Sequence, residues 1–130
     1  MGRRCGEALK RIGMEVVGIG RTPKENVLGI DDLVKQLPLA DHIVLLLPGE
    51  RSTDGLIGSV ELAQCKPGAF IYNFGRGNAL PTSALLAHLD HLGGAFLDVV
   101  DQEPLPAGLP ALVAAERYDH APLILRVSRL

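Results

Sequence analysis

The sequence has no tryptophan and few aromatic residues, with only two Tyr and three Phe among 130 residues. No apolar run approaches the roughly 20 residues that a helix needs to cross a bilayer, so we expect no membrane partner. No apolar segment follows the basic residues Arg3 and Arg4, so we expect no signal peptide. Basic residues are not in excess, since 13 Lys and Arg stand against 15 Asp and Glu. This balance argues against a nucleic-acid partner.

Cysteine and metal-ligand patterns are also sparse. Cys5 and Cys65 are far apart and lack metal-ligand spacing, so we expect two reduced thiols in a cytoplasmic protein. His88 and His91 stand three residues apart on a predicted helix, without an evident third ligand. We therefore predict solvated histidines and no metal site.

The composition that is present predicts a globular fold of many short elements. Hydrophobic residues make up 47% of the chain, and 15 Gly and 9 Pro divide it into short segments. Apolar, β-branched runs predict strands at 14–19, 42–47, 69–73 and 96–100. Helical spacing predicts helices at 2–12, 31–37, 60–63 and 84–92, the last capped by Thr82 and Ser83. The alternation predicts an α/β, Rossmann-like parallel sheet with these strands as neighbours and helices on both faces.

Two arginines follow predicted strands, where ligands bind in such sheets. Arg21 comes after the first strand, and its guanidinium suits the 2′-phosphate of a dinucleotide. Arg76 lies between Gly75 and Gly77, which allow close approach of a ligand, and its fork suits a carboxylate. Spacing alone also fits solvated turns at both places. Asp98 falls inside an apolar strand, so we expect it to be buried, partnered and functional.

Four segments in chain order carry a resemblance to one enzyme family. They are M-G-R-R at residues 1–4, A-D-H-I-V-L-L-L-P at 40–48 with Thr53 after it, N-F-G-R-G at 73–77, and a stretch at 94–106 that begins G-A-F-L-D-V-V and ends E-P-L-P. With them, residues 2–106 resemble the D-isomer-specific 2-hydroxyacid dehydrogenases, especially the glyoxylate/hydroxypyruvate reductase branch. Another Rossmann enzyme, such as the hydrolase of S-adenosylhomocysteine, is a more distant alternative, against which E-P-L-P argues.

The resemblance implies an oxidoreductase that transfers hydride between NAD(P)H and a small 2-oxo acid such as glyoxylate or hydroxypyruvate. It implies that Arg76 binds the substrate carboxylate and carbonyl, and that Glu103 pairs with a catalytic His. It also implies a homodimer, and NADP in preference to NAD because of Arg21. The further cofactor contacts that it implies are Gly2, Leu47, Pro48, Thr53, Phe74, Gly75 and Asp98.

The chain also departs from the family pattern. The first strand, the first two fingerprint glycines and the substrate domain are missing, and His120 precedes Ala-Pro instead of ending T-P-H. We therefore predict a partial NAD(P)-binding domain over 1–106, inactive alone. The alternative is a non-catalytic fragment that acts only as a binding or dimerising module.

Residues 107–130 lose all periodicity and are predicted to be an irregular tail. Codons read one base later can spell S-P-L-W over 109–112 and V-T-I-T-P-H over 117–122. Both are segments of the same family, so we predict a frameshift in this tail.

Overall fold

The structure is a computed structural model and describes residues 1–102. Glu103, His120 and the predicted tail at 107–130 lie outside the described residues. The helices are α1 (Gly2–Arg11), α2 (Leu33–Gln36), α3 (Ser59–Gln64) and α4 (Thr82–Ala87). The strands are β1 (Gly18–Gly20), β2 (Val27–Gly29), β3 (His42–Leu45), β4 (Phe70–Asn73) and β5 (Gly94–Leu97). No helix within residues 1–102 is long and apolar enough to cross a membrane.

The strands form two parallel sheets. One contains β1 and β2, and the other has the order β3-β4-β5. The prediction of a Rossmann-like parallel arrangement is confirmed, but the placement of the first strand beside the other three is wrong. Within residues 1–102, β1 pairs only with β2, a three-residue strand too short to show a period in the sequence. The turn between them places Asn26 at φ 64°, a conformation that Asn tolerates better than most residues.

Three strand boundaries differ from the predictions because pairing, not apolar content, sets them. In the described part of the chain, strand pairing begins at Gly18 and not at residues 14–17, so β1 begins there. β3 ends at Leu45, whose carbonyl accepts a hydrogen bond of 3.0 Å from Phe74, the first residue after β4. β5 ends at Leu97, three residues earlier than predicted.

The two faces of the β3-β4-β5 sheet differ in burial. One face carries Ile43, Leu45, Ile71 and Leu97, which pack in the core against α3 and α4. The opposite face carries a row of rings, each stacked on or tilted against the next. In order of contact they are Phe70, His42, Tyr72, Phe74 and Phe96. Gly2, the first residue of α1, approaches the side chain of Leu46, just beyond β3. The predicted packing of helices on the sheet is confirmed for the core face, where α3 and α4 lie.

Two helices differ from their predicted form. The segment predicted as one helix at 31–37 is a 3-10 turn (Ile30–Asp32), α2, and a second 3-10 turn (Leu37–Leu39) that contains Pro38. Helix α4 ends at Ala87, so His88 and His91 follow the helix. Their ring nitrogens hydrogen-bond the carbonyls of Ala84 (2.9 Å) and Cys65 (2.7 Å), so they are structural and not simply solvated.

The cap of α4 was also predicted wrongly. Thr82 is the first residue of the helix and caps nothing with its side chain. Instead, the carboxylate of Asp101 accepts hydrogen bonds from the Thr82 backbone N–H (3.2 Å) and hydroxyl. A carboxylate at this end suits the helix dipole, and it attaches the segment after β5 to α4.

Both cysteines are free thiols, and Cys65 is buried. Burial, with a smaller effect of Glu61, raises the pKa of the Cys65 thiol. Within residues 1–102, no group of three or more His, Cys, Asp or Glu is placed to hold a metal ion.

Candidate functional site

The loops that follow β1, β3, β4 and β5 meet at one edge of the molecule. The backbone N–H of Phe74 bonds the carbonyl of Leu45, and that of Asp98 bonds the carbonyl of Asn73, both at 3.0 Å. These bonds align the carboxyl ends of β3, β4 and β5. Of the described residues predicted to bind ligand, all but Gly2 follow these strands, at the edge where ligands bind in parallel α/β sheets.

The N-terminus of α1 points to the same edge. Its first residue, Gly2, has open space for a Cβ except for Leu46, 3.9 Å away and just beyond β3. The first turn has no acidic residue, and Arg3 and Arg4 occupy it. Unpaired backbone N–H groups and two basic side chains make this helix end suitable for a phosphate group.

Arg21 connects the loop after β1 to the loop after β3. Its Nη2 donates hydrogen bonds to a carboxylate oxygen of Glu50 and, at 3.2 Å, to the Ser52 hydroxyl. The side chains of Arg21 and Glu50 are 67% and 48% exposed, so a ligand in solution can reach both. The predicted phosphate-binding arginine thus lies at the correct edge but already has an anionic partner.

Thr53 shapes the loop after β3 from inside. It is buried, and its hydroxyl lies 2.7 Å and 2.9 Å from the carbonyl oxygens of Glu50 and Pro48. The amide nitrogen of Asn78 adds a bond of 3.2 Å to the same hydroxyl, and another of 3.2 Å to the Glu50 carbonyl. The structure therefore gives Thr53 a role in holding the loop.

Gly75 and Gly77 allow close packing of backbone against backbone. A Cβ on Gly75 would lie 2.6 Å from the carbonyl oxygen of Leu47, and one on Gly77 would lie 1.9 Å from that of Val100. The sequence predicted that these glycines admit a ligand, but their immediate neighbours are the chain segments after β3 and β5. Arg76 is consequently held between two tight backbone contacts.

Asn73 closes the turn that presents Arg76. It is 1% exposed; its Oδ1 accepts a hydrogen bond from the Gly75 N–H, and its Nδ2 donates to the Arg76 carbonyl, both at 3.1 Å. A buried amide that satisfies both a donor and an acceptor of one turn fixes the turn's shape.

Arg76 itself is exposed, and its Cγ lies close to Gly49. One guanidinium nitrogen donates to the Gly75 carbonyl at 3.0 Å. No carboxylate of residues 1–102 is within ion-pairing distance of Arg76. The rest of its planar fork can therefore accept a carboxylate from a ligand.

Apolar side chains also lie just beyond β3 and β4. The Phe74 ring is 38% exposed, Leu47 is half-buried and Pro48 is exposed. These residues form the apolar part of the edge, as expected for contacts to a flat ring system.

Asp98 is not buried, contrary to prediction. Since β5 ends at Leu97, Asp98 is the first residue beyond the strand and is exposed. Its backbone, not its carboxylate, supplies the contact to Asn73. The prediction was wrong because the apolar residues on both sides of Asp98 continue beyond Leu97, the last residue of β5 that pairs with β4.

Residues of the edge that were absent from the predicted site include Glu50, Ser52, Asn73 and Asn78. Asn73 stands in the N-F-G-R-G segment, so its place at a strand end was the signal. Asn78 bridges two loops, with its Nδ2 also 2.5 Å from Asp54, and its Oδ1 is buried without a hydrogen-bond partner among residues 1–102. Glu50 follows the predicted strand at 42–47, but no local pattern shows its contact with Arg21, 29 positions away.

An open depression of about 370 Å³ lies elsewhere and contains none of the predicted site residues. It is lined by Lys10, Val16, Val17, Lys24, Asn26, Val27, Leu28 and Gln36. The predicted residues that the structure describes lie instead beyond the strand ends and, for Gly2, at the start of α1.

The chain is similar in sequence to known proteins of one family. A family model described as "D-isomer specific 2-hydroxyacid dehydrogenase, NAD binding domain" matches residues 1–120. A putative 2-hydroxyacid dehydrogenase from Haemophilus influenzae is 34% identical over 122 residues, covering 89% of this chain and 38% of the relative. Glyoxylate/hydroxypyruvate reductase A from Salmonella paratyphi B is 35% identical over 136 residues, covering 99% of this chain and 43% of the relative. The chain thus spans less than half the length of these relatives.

Solved structures give the same result. A D-isomer specific 2-hydroxyacid dehydrogenase from Xanthobacter autotrophicus, in complex with NADPH and MES, is 36% identical with a TM-score of 0.77. The match covers 84% of this chain and 37% of that one. An NADPH-dependent glyoxylate/hydroxypyruvate reductase from Sinorhizobium meliloti, in apo form, is 29% identical with a TM-score of 0.75, over 83% of this chain and 60% of that one.

Proposed function

Since the chain belongs to the D-isomer-specific 2-hydroxyacid dehydrogenases, we propose that it is the cofactor-binding portion of an NAD(P)-dependent reductase. The reductase would act on a small 2-oxo acid such as glyoxylate or hydroxypyruvate. We further place it in the cytoplasm, where the unpaired Cys5 and Cys65 are stable.

The observation that carries the proposal is that the N-terminus of α1, Arg21 and Arg76 lie at the same edge of the molecule, where the strands end. The N-terminus of α1 would hold the pyrophosphate of a dinucleotide, with Arg3 and Arg4 adding positive charge. Arg21 would hold a 2′-phosphate, which favours NADP over NAD. A bound nicotinamide supplies the hydride, and Asp98 and Phe74 are the residues of this chain proposed to lie near it.

Arg76 would bind and orient the substrate. Its stem packs near Gly49, and its backbone is fixed by Asn73 and by the contacts of Gly75 and Gly77. An arginine held in this way offers hydrogen-bond donors in a fixed geometry to the carboxylate of the substrate. Orienting the substrate raises the rate of the reaction. Glu103 is proposed to tune the proton-donating His of the intact enzyme.

Binding and turnover of the purified 130-residue chain test the proposal separately. Calorimetric titration with NADP⁺ and NAD⁺ is expected to give saturable binding of both. Reduction of glyoxylate or hydroxypyruvate by NADPH is expected to be undetectable, because the chain spans only 43% of the reductase that it matches. The cofactor assignment is wrong if neither nucleotide binds, and measurable turnover would contradict the inactivity of this chain.

A second candidate is a module that associates with another copy of itself. Among residues 1–102, β1 pairs only with β2, and β3 pairs only with β4. Each therefore keeps one row of backbone donors and acceptors available to another strand. Light scattering that shows a stable dimer without nucleotide binding would favour this candidate, and a monomer that binds NADP⁺ would exclude it.

A further inference from the structure

The Arg21 side chain belongs to a three-residue polar cluster with Glu50 and Ser52. Arg21 Nη2 donates to Glu50 and Ser52, and the Ser52 hydroxyl lies 3.4 Å from the same Glu50 oxygen. The cluster lies where the proposed function puts the 2′-substituent of the cofactor ribose. An entering 2′-phosphate therefore meets a carboxylate as well as a guanidinium.

Glu50 is held in this position by its backbone. Its N–H lies 3.0 Å from the Pro48 carbonyl and 3.3 Å from the Thr53 hydroxyl, and its carbonyl accepts the Thr53 N–H at 2.9 Å. Asn78 also donates to that carbonyl at 3.2 Å. Because the backbone is fixed from four sides, the carboxylate cannot leave the cluster by a movement of the loop backbone alone. It can retreat only by rotating its own side chain.

We propose that Glu50 is a specificity-determining residue that weakens selection for a 2′-phosphate. This inference rests on the proposed cofactor site. A 2′-phosphate must take the donors of Arg21 from Glu50, and a guanidinium already paired with a carboxylate attracts the phosphate less strongly. The observed affinity for the 2′-phosphate falls in proportion to the fraction of molecules in which Arg21 is paired with Glu50. A ribose 2′-hydroxyl carries no charge and can donate a hydrogen bond to the carboxylate, so Glu50 does not penalise NAD.

The alternative is that the pair is an ordinary surface ion pair with no effect on ligand selection. Exposed pairs contribute little to stability, so stability measurements cannot separate the two interpretations. The ratio of affinities for NADP⁺ and NAD⁺ can separate them, because only a carboxylate at the ribose site changes this ratio.

The test is a double-mutant cycle on the 130-residue chain with Glu50→Gln, Arg21→Gln and the double variant. Kd values for NADP⁺ and NAD⁺ are measured by calorimetry at low ionic strength, where charge effects are least screened. Glu50→Gln keeps the size of the side chain and removes its charge. Glu50→Thr is a second variant without charge, and circular dichroism checks that each variant is folded.

Both Glu50 variants are expected to raise the preference for NADP⁺ over NAD⁺ by about two- to tenfold, the size expected for one partly exposed charge. The gain is expected to vanish in the Arg21→Gln background and to shrink at high salt. Asp41→Asn is the matched control, since it also removes one carboxylate from an exposed ion pair, with Lys66, but at the amino end of β3. It is expected to leave the preference unchanged.

An unchanged or lowered NADP⁺ preference in both Glu50 variants overturns this inference while leaving the proposed cofactor site intact. A gain that persists without Arg21, or that Asp41→Asn reproduces, also overturns it, because the effect would then come from overall charge. Failure of the wild-type chain to bind either nucleotide overturns the proposed function and this inference together.

Discussion

The carbonyl oxygen of Leu47 packs so close to Gly75 that a Cβ on Gly75 would lie 2.6 Å from it, which leaves no room for a side chain at this position. This contact brings the segment after β3 against the turn that carries Arg76. It connects two parts of the proposed site that are 28 positions apart in sequence, without a side-chain interaction.

Gly75→Ala is expected to destabilise the chain by about 1–3 kcal/mol, because backbone must shift to admit the methyl group. The urea midpoint of unfolding, followed by circular dichroism, measures the loss. Gly2→Ala is the matched control, since its nearest neighbour is an ordinary contact at 3.9 Å. Equal midpoints for Gly75→Ala and wild type would show that the backbone can relax around the added group.

Arg21→Asp is expected to weaken the preference for NADP⁺ over NAD⁺ by about 1–3 kcal/mol, the usual loss for a charge-assisted contact. Kd values from calorimetry give the change. Lys35→Asp makes the same change in charge on a side chain paired with Asp32, away from the strand ends, and serves as the control. Unchanged selectivity in Arg21→Asp would remove Arg21 from the cofactor site.

The Asp41–Lys66 pair is expected to add a small acid sensitivity to stability. The Lys66 ammonium, 2.5 Å away, lowers the pKa of Asp41 below its ordinary value of 3.8, first by hydrogen bonding and then by charge. A carboxyl whose pKa is lowered by folding stabilises the fold above its unfolded pKa. That contribution is lost as the pH falls through the lowered value, so the relevant window lies below pH 3.8.

Urea midpoints between pH 7 and pH 2.5 test this expectation. Asp41→Asn should lose less stability than wild type across the acidic end of the range. Lys66→Gln is the companion variant, because it removes the cause of the lowered pKa and keeps the carboxyl. Parallel pH profiles for wild type and both variants would show that the pair contributes nothing measurable.

The DNA that encodes residues 107–130 tests the proposed frameshift. Shifted by one base, codons 109–112 are expected to read S-P-L-W, and codons 117–122 to read V-T-I-T-P-H. The recovered His would come from the codon of Pro122 and supply the missing T-P-H segment. Any other reading of these codons in the shifted frame removes the explanation.

The sequence predicted the strands of the larger sheet because their signal is local. β3 and β4 are apolar and rich in β-branched or aromatic residues, so their own composition identifies them. β2 has only three residues, Val27–Gly29, and exists because β1 pairs with it. A contact of that kind leaves no periodic trace in the sequence.

The same distinction applies to the site. Arg21 and Arg76 could be placed at the edge because each directly follows a strand. Glu50 also follows a predicted strand, but its contact with Arg21 could not be predicted, since the two residues are 29 positions apart. Asp98 was wrongly expected to be buried because apolar neighbours in sequence cannot show where strand pairing stops.

The row of rings on the second face of the larger sheet makes tyrosine spectroscopy a probe of that face. In a chain without tryptophan, intrinsic emission comes only from Tyr72 and Tyr118. Tyr72 lies between Phe74 and His42, and its hydroxyl is 3.1 Å from the His42 Nδ1. Burial raises the pKa of this phenol, so its ionisation is displaced from that of a tyrosine in water. Its absorbance and emission therefore report, without any added label, whether the aromatic face is exposed or covered.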